Sequence, residues 1–270
     1  MILDVLISTY GDRLAESIKV LMPESANVRY KIIHQCTSSK DYTAEIESLL
    51  DRKDVQYHRL YNRGLSKSRN KAITVSDGDI SLIMDDDVAL VEDFYSIVCD
   101  AFSQNPSADM ISFQISEQES GELIKNYPSN AKKHNKQSIL RIGSIEMVVR
   151  THVLKQACFP EYLGAGSALP ACEEPVYLSR LLERGAKLFY RPLVIAHHPK
   201  LSSGKVFDSE ATLACRGVAF REIYGLILGF LAVNYFYIKN RNKFSLQGTS
   251  AYRAILKGFL MSKTQLEGRI

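Results

Sequence analysis

NRGLSKSRNKAITVSDGDISLIMDDDV, residues 62–88, decides how the rest of the chain is read. It opens as a basic loop with a glycine, continues as a short helix and a small turn, then becomes an apolar strand stopped by three aspartates. Ile80, Leu82 and Ile83 form the short run that a buried parallel strand uses. Adjacent carboxylates repel, so Asp85, Asp86 and Asp87 need protons, basic partners or a metal if they are partly buried. Mg²⁺ and Mn²⁺ take hard oxygen ligands and often bind through one or two carboxylates plus substrate phosphates. Ligands of open α/β sheets sit outside the carboxyl ends of the strands, where this cluster falls. Upstream, Arg63, Lys67, Arg69 and Lys71 supply positive charge, Ser66 is an expected helix N-cap, and Gly64 lets the backbone turn or approach closely. Taken alone, an acidic run is a solvated turn and KSRNK an exposed helix face. Adjacent to one another they describe a cation site beside an anion site, suited to a metal-bound phosphorylated ligand.

The run NxGLSxSRNxAI, then DGDI, then an apolar strand into DDDV, resembles the donor-binding half of family 2 glycosyltransferases with the GT-A fold. The likeness resumes from about Ile142 to His198 and covers most of residues 1–200. It implies an α/β, Rossmann-like fold with a mainly parallel central sheet and transfer of a sugar with inversion from a nucleotide-sugar donor, expected to be UDP-linked. Mn²⁺ or Mg²⁺ would hold the donor, with the DxD element at Asp85-Asp86-Asp87. Donor contacts are then expected from Thr9, Tyr10, Gly11, Gln35, Arg63, Gly64, Ser66, Arg69, Asp85 and Asp86, and metal contacts from Asp87 with His198 or His197. Many members carry an acidic residue against the nucleotide base where this chain has Gln35, which leaves the base open.

The 270 residues allow one large α/β domain with a tail. A hydrophobic content of 46% and a charged content of 24% are those of a globular protein and exclude general disorder. MILDVLISTYGD has no basic n-region and no long apolar stretch, so a cytoplasmic location is expected. Cys36, Cys99, Cys158, Cys172 and Cys215 form no CxxC pair, which argues against a zinc site or a disulfide framework. Net charge is +4, yet Lys239–Ile270 holds seven basic residues against Glu267, leaving the other 238 residues at −2. Charge gathered at one end favours a negatively charged surface as partner.

Elsewhere strand and helix alternate, which argues for a parallel sheet. Strands are expected at Val5–Ser8, Tyr30–His34, Val55–Leu60 and Met110–Ile115, with a helix capped by Asp41 and another over Val91–Phe102. Residues 116–138 read as a surface loop or an acceptor-side lid. IGSIEMVVR, from Ile142, is a strand; Leu188–Tyr190 and Val194–Ala196 are short final strands before His197 and His198, which point oppositely along a strand.

Gly164, Gly166 and Pro170 break regular structure before Glu173 and Glu174, which open a helix ending at Gly185. Acids there suit the helix dipole, and this alone explains them. Attack by an acceptor hydroxyl also needs a base, which a carboxylate can be. The family's ED element is followed six residues later by Arg and five further by Gly; Glu173-Glu174, Arg180 and Gly185 keep that spacing, with Glu at the Asp position. The resemblance therefore implies Glu174 as the base, and Glu173 as its neighbour and substitute.

Residues 223–238, IYGLILGFLAVNYFYI, fall short of the roughly 20 needed to span a bilayer, and their tyrosines and flanking basic residues look interfacial. The expected division is a catalytic domain 1–205, with donor half 1–115 and acceptor half 116–205, and a helical, basic, membrane-associating region 206–270. The expected partners are a glycan or lipid-linked acceptor, as in bacterial cell-surface polysaccharide assembly, and an anionic membrane at the inner face of the cell; a homodimer is a further expectation, nucleic acid is not. A non-catalytic nucleotide-sugar-binding subunit of such an assembly is the competing reading.

Overall fold

The computed structural model describes residues 1–199, 209–246 and 249–268; the boundary expected between 205 and 206, and Arg269, lie outside these. The first half alternates as expected: β1 (Leu3–Tyr10), α1 (Leu14–Lys19), β2 (Val28–Gln35), α2 (Thr43–Leu50), β3 (Val55–Leu60), α3 (Leu65–Val75), β4 (Ile80–Asp85), β5 (Ala89–Leu90) and α4 (Phe94–Gln104). Then come β6 (Met110–Glu117), β7 (Lys132–Lys133), β8 (Met147–Arg150), α5 (Thr151–Leu154), α6 (Glu173–Glu183) and β9 (Leu188–His198). Three helices follow, α7 (Glu210–Asn240), α8 (Ser250–Leu260) and α9 (Lys263–Glu267).

The strands form one sheet in the order β3-β2-β1-β4-β8-β6-β9-β5, with β7 also on β9. β3, β2, β1 and β4 are parallel, as are β6 and β9. β8 slots antiparallel between β4 and β6, and β5 and β7 pair antiparallel with β9. Parallel strands buried on both faces need continuous apolar runs, and Leu3–Ile7 of β1 is buried throughout. The turn before β4 is tied to β1: Asp4 Oδ2 accepts from Ser76 Oγ at 3.0 Å, Asp77 N at 2.8 Å and Gly78 N at 2.7 Å. Register then aligns the strand ends, pairing Ser8 with Asp85 and Tyr10 with Gln35.

Several local expectations are corrected. Ser66 is not the N-cap of α3, because it lies inside the first turn and donates to Leu163 O at 2.7 Å. Asp41 stands one residue before the Tyr42 cap of α2 and accepts from Thr43 N at 2.9 Å. The strand expected from Ile142 starts at Met147, after a 3₁₀ turn at Ser144–Glu146. The two final strands are one, β9, whose pairing with β6 shifts register near Gln114. Residues 116–138 contribute β7 and fold back through Tyr127 OH, which accepts from Ile115 N at 3.2 Å.

The described residues form two compact units. The first comprises Met1–Arg63, Lys67–Cys158 and the stretch from Arg180 through β9. The second comprises Gly64–Ser66, Phe159–Ser179 and the helices from α7 onward. Within the second, α7 is interrupted at Gly225, whose φ of 72° and ψ of −162° are not helical. The Phe220 and Phe236 rings lie 5.5 Å apart, whereas a straight helix would separate them by about 24 Å. α7 is thus two limbs folded back at Gly225. Gly217 and Gly258 let α7 and α8 touch, since a Cβ on either would strike the other helix's backbone, on Ile255 O and Ala214 O respectively.

Candidate active site

In the first unit the sequence stops β4 with Asp85, and the turn that follows holds Asp86 and Asp87 beside the end of β1. The three carboxylates have different surroundings. Asp86 is buried and fully engaged: it accepts from Thr9 Oγ1 at 2.6 Å and from Arg13 Nε at 3.0 and 3.1 Å, and it is ion-paired with Arg13 Nη2. Its neighbour Asp87 is partly exposed, with Oδ2 paired to Arg13 Nη2 at 2.9 Å and Oδ1 facing His198 Nε2 at 3.5 Å. Asp85 accepts from Arg69 Nη2 at 3.3 Å; Arg69 is buried and also donates to Ser144 Oγ at 2.7 Å. Positive charge is thus threaded between the acids, which answers their repulsion. The hydrogen bond to Asp86 holds Arg13 above its already high range.

The remaining expected donor residues of this unit surround the same strand ends. Tyr10 is exposed, bonds Thr37 Oγ1 at 3.2 Å and lies under the Arg63 guanidinium at 5.5 Å. Gln35 is buried at the end of β2, in register with Tyr10. Gly11, at a φ of 54°, turns the chain out of β1, and its carbonyl accepts from His34 Nε2 at 3.0 Å. Tyr57 OH meets the other imidazole nitrogen at 2.8 Å, and burial lowers the His34 pKa, so the ring is neutral. His197 turns away from the acids to Ser116 Oγ at 2.6 Å, as strand alternation requires of the neighbour of His198.

No cluster of three or more His, Cys, Asp or Glu side chains able to hold a metal occurs among the described residues. Asp87 and His198 nonetheless fit a divalent cation. Two ligands of one metal stand about 3 Å apart when each is near 2.1 Å from it, and diphosphate oxygens commonly complete such shells. Arg13 on the second oxygen of Asp87 would orient that carboxylate, as neighbours of metal ligands do.

In the second unit Gly64, at a φ of 134°, leads into α3, and Leu65 N donates to Ala165 O at 2.8 Å. The 163–169 loop is closed by Gly164 N to Leu169 O at 2.8 Å. A Cβ on Gly164 would lie 3.0 Å from Ser66 Oγ and 3.1 Å from Glu173 Cδ, so glycine alone allows these groups to close on the loop. Glu173 and Glu174 do open α6, in which Tyr177 stacks on Phe159 with ring centroids 4.1 Å apart. Cys172, just before the pair, has a φ of 73°, strained for a side chain. Burial pushes its thiol up to about 11, which keeps it protonated and unreactive. Glu173 is buried and Glu174 is partly exposed.

Reading the sequence missed Arg13, Ser144 and His34. Arg13 carried a signal, since YGDR places a cation one turn beyond a strand end that faces an acidic strand end. Ser144 carried none.

Known folds resemble this one. TarS from S. aureus, residues 1–349, superposes with a TM-score of 0.67 at 15% identity, over 100% of this chain and 83% of that one. The same protein solved with UDP gives 0.62 at 16% identity over 99% and 86%, and with UDP-GlcNAc 0.64 at 13% over 100% and 84%. No curated protein matches the sequence. The model of the family described as glycosyl transferase family 2 matches residues 5–155. The chain belongs to glycosyl transferase family 2 and is a glycosyltransferase of GT-A fold.

Proposed function

We propose that this enzyme takes its sugar from a UDP-linked donor bound at the ends of β1 and β4 and passes it, with inversion, to a hydroxyl of a lipid-linked or polysaccharide acceptor. The observation that carries the donor reading is the convergence of Asp87 and His198, a carboxylate and an imidazole 3.5 Å apart beside a cation-lined sheet end. A Mn²⁺ or Mg²⁺ ion held by them would neutralise charge on the departing diphosphate. Tyr10, with Arg63 over its ring, offers a surface for the nucleotide, and Asp85 suits the ribose. Glu174 removes the acceptor proton, its partial exposure at the start of α6 supporting that role over buried Glu173. The TarS complexes with UDP and UDP-GlcNAc support the choice of nucleotide only as a likeness of fold.

The second unit supports peripheral attachment to the inner face of the cell membrane. α7 is long and apolar enough to cross a bilayer by composition, with a mean hydropathy of 1.3. Folded at Gly225, its second limb is only about 22 Å long, short of the ~30 Å hydrocarbon core. That limb exposes Leu226, Ile227, Leu228, Phe230, Leu231 and Ile238, with Ile227 77% exposed, and is followed by Lys239, Arg241 and Lys243. An apolar face beside basic residues suits an anionic lipid surface.

The test is turnover. Purified protein with Mn²⁺ and a panel of UDP-, GDP- and dTDP-sugars should release nucleoside diphosphate from a UDP-sugar once an acceptor-bearing membrane fraction is added. Release only from donors of another base would overturn the UDP assignment, and no release from any donor would overturn the reading.

A further inference from the structure

We infer that Tyr127 is a positioning residue: its hydroxyl holds an odd-numbered register insertion in β9, and that insertion turns His198 rather than His197 toward Asp87. The inference rests on the donor reading above, in which His198 acts with Asp87, and adds what decides between the two histidines. From the pair Ser112 and Tyr190 to the pair Ile115 and Ala196, β6 advances three residues and β9 six. Side chains alternate along a strand, so an odd surplus exchanges the two faces for every residue that follows it. Ser112 and Ser116 lie on one face of β6. Uninterrupted alternation from Tyr190, the partner of Ser112, would put His198 on that same face and turn it from Asp87. Instead Ser116 pairs with His197 and bonds its Nδ1 at 2.6 Å, Glu117 pairs with His198, and His198 Nε2 faces Asp87.

The segment after β6 supplies what holds the surplus in place. The register shifts first between Ser112 and Gln114 and again between Gln114 and Ile115. At the second shift the Ile115 amide donates to Tyr127 OH at 3.2 Å, a partner outside the sheet. At the first, Gln114 Nε2 donates to Tyr190 OH at 2.7 Å, and that hydroxyl donates to Pro128 O at 2.9 Å. The Tyr127 and Tyr190 rings lie parallel, 6.3 Å apart. Lys125, two residues before Tyr127, is ion-paired with buried Glu146, which ties the segment to the residue before β8. Pro192, inside the surplus, has no amide to give to a ladder and suits a bulge.

The experiment uses the full chain with carbon-13-labelled histidine rings, and UDP with Mn²⁺ as the probe, for wild type, Tyr127→Phe and Tyr190→Phe. Each variant keeps its ring and loses one of the two hydroxyls, so either tests the insertion if the other proves unstable in a melting curve. In proton–carbon NMR spectra without metal, both should move the His197 and His198 ring signals and leave that of His34, on β2, in place. UDP affinity with Mn²⁺ should fall by about 10- to 100-fold in the variants, the scale of a contact displaced by about 1 Å. His198→Ala should cost roughly as much and add little to either variant, whereas His197→Ala should add its full effect. Unmoved His197 and His198 signals in a folded variant, or losses that add fully with His198→Ala, overturn the inference and leave the donor reading standing. Wild type whose UDP affinity ignores both Mn²⁺ and His198→Ala overturns the donor reading, and the NMR comparison alone then decides whether Tyr127 holds the register.

Discussion

His198 Nε2 stands 3.5 Å from Asp87 Oδ1, although 111 residues separate them in the chain. The two-residue strand β5, directly after the aspartates, achieves this by pairing Ala89 with His197 and Leu90 with Ala196. Strand alternation then sends His198 toward Asp87 and His197 to Ser116. A pairing so brief has no signature in sequence, and it locates the imidazole as firmly as the aspartate run locates the carboxylates.

Glu174→Gln removes a proton acceptor while preserving shape. The expected result is a kcat lower by about 10²- to 10⁴-fold with donor affinity retained, measured by steady-state kinetics and UDP titration. Normal turnover would move the base elsewhere, first to Glu173.

Ile227→Asp with Leu231→Asp places two charges on the exposed apolar limb of α7. Wild type is expected to float with vesicles containing anionic lipid and to float less with neutral ones, and the double variant should remain in the soluble fraction. Equal flotation of both proteins, or a wild type that dimerises and ignores vesicles, would reassign that face to protein contact.

His134 predicts a pH effect on stability. Its Nε2 meets Ser112 Oγ at 2.8 Å and its Nδ1 meets Ser138 Oγ at 3.0 Å. Burial first, then Lys132 and Lys125, hold its pKa down to about 4. The unfolded chain takes up this proton near pH 6.5 and the folded one only near 4, so the contribution is complete above 6.5 and is lost as pH falls toward 4. The loss is about 3 kcal/mol at most. His134→Gln should flatten the denaturant-derived stability profile across that window relative to wild type; an identical slope would contradict this.

Gly217→Ala should destabilise the second unit, because its methyl would strike Ile255 O and the helices must part. Overpacking of this kind costs about 1–3 kcal/mol or more. Gly121→Ala, with open space around it but a φ of 71°, bears only the conformational cost, about 1 kcal/mol. A melting temperature for Gly217→Ala at or above that of Gly121→Ala would contradict the packing described.

The parallel half of the fold was legible because β4 and most of β1 are written as apolar runs, and the edge strand Val55–Leu60, which is neither apolar throughout nor buried throughout, was delimited by the helix before it and the basic loop after it. The acidic triplet was legible for the same reason, since charge ends such a run abruptly. The antiparallel insertions β5 and β7 were not, being two residues long with partners far away in sequence, whereas β8 was legible as a strand but not where it begins, a 3₁₀ turn taking the first part of that run. Ser66 was misread because its hydroxyl has a partner at Leu163, a long-range bond that local capping rules cannot see. The reversal at Gly225 hid for a similar reason: a glycine within an apolar helix pattern marks a weak point, and only the Phe220–Phe236 contact reveals how far the chain turns there.

The divalent cation proposed on Asp87 would hold the nucleotide. Calorimetric titration of UDP into wild type and Asp87→Ala, each with Mn²⁺ and with EDTA, tests it directly. Binding by wild type that needs Mn²⁺ and falls by at least 10-fold in the variant is the predicted result. UDP affinity that is the same in all four titrations would contradict it.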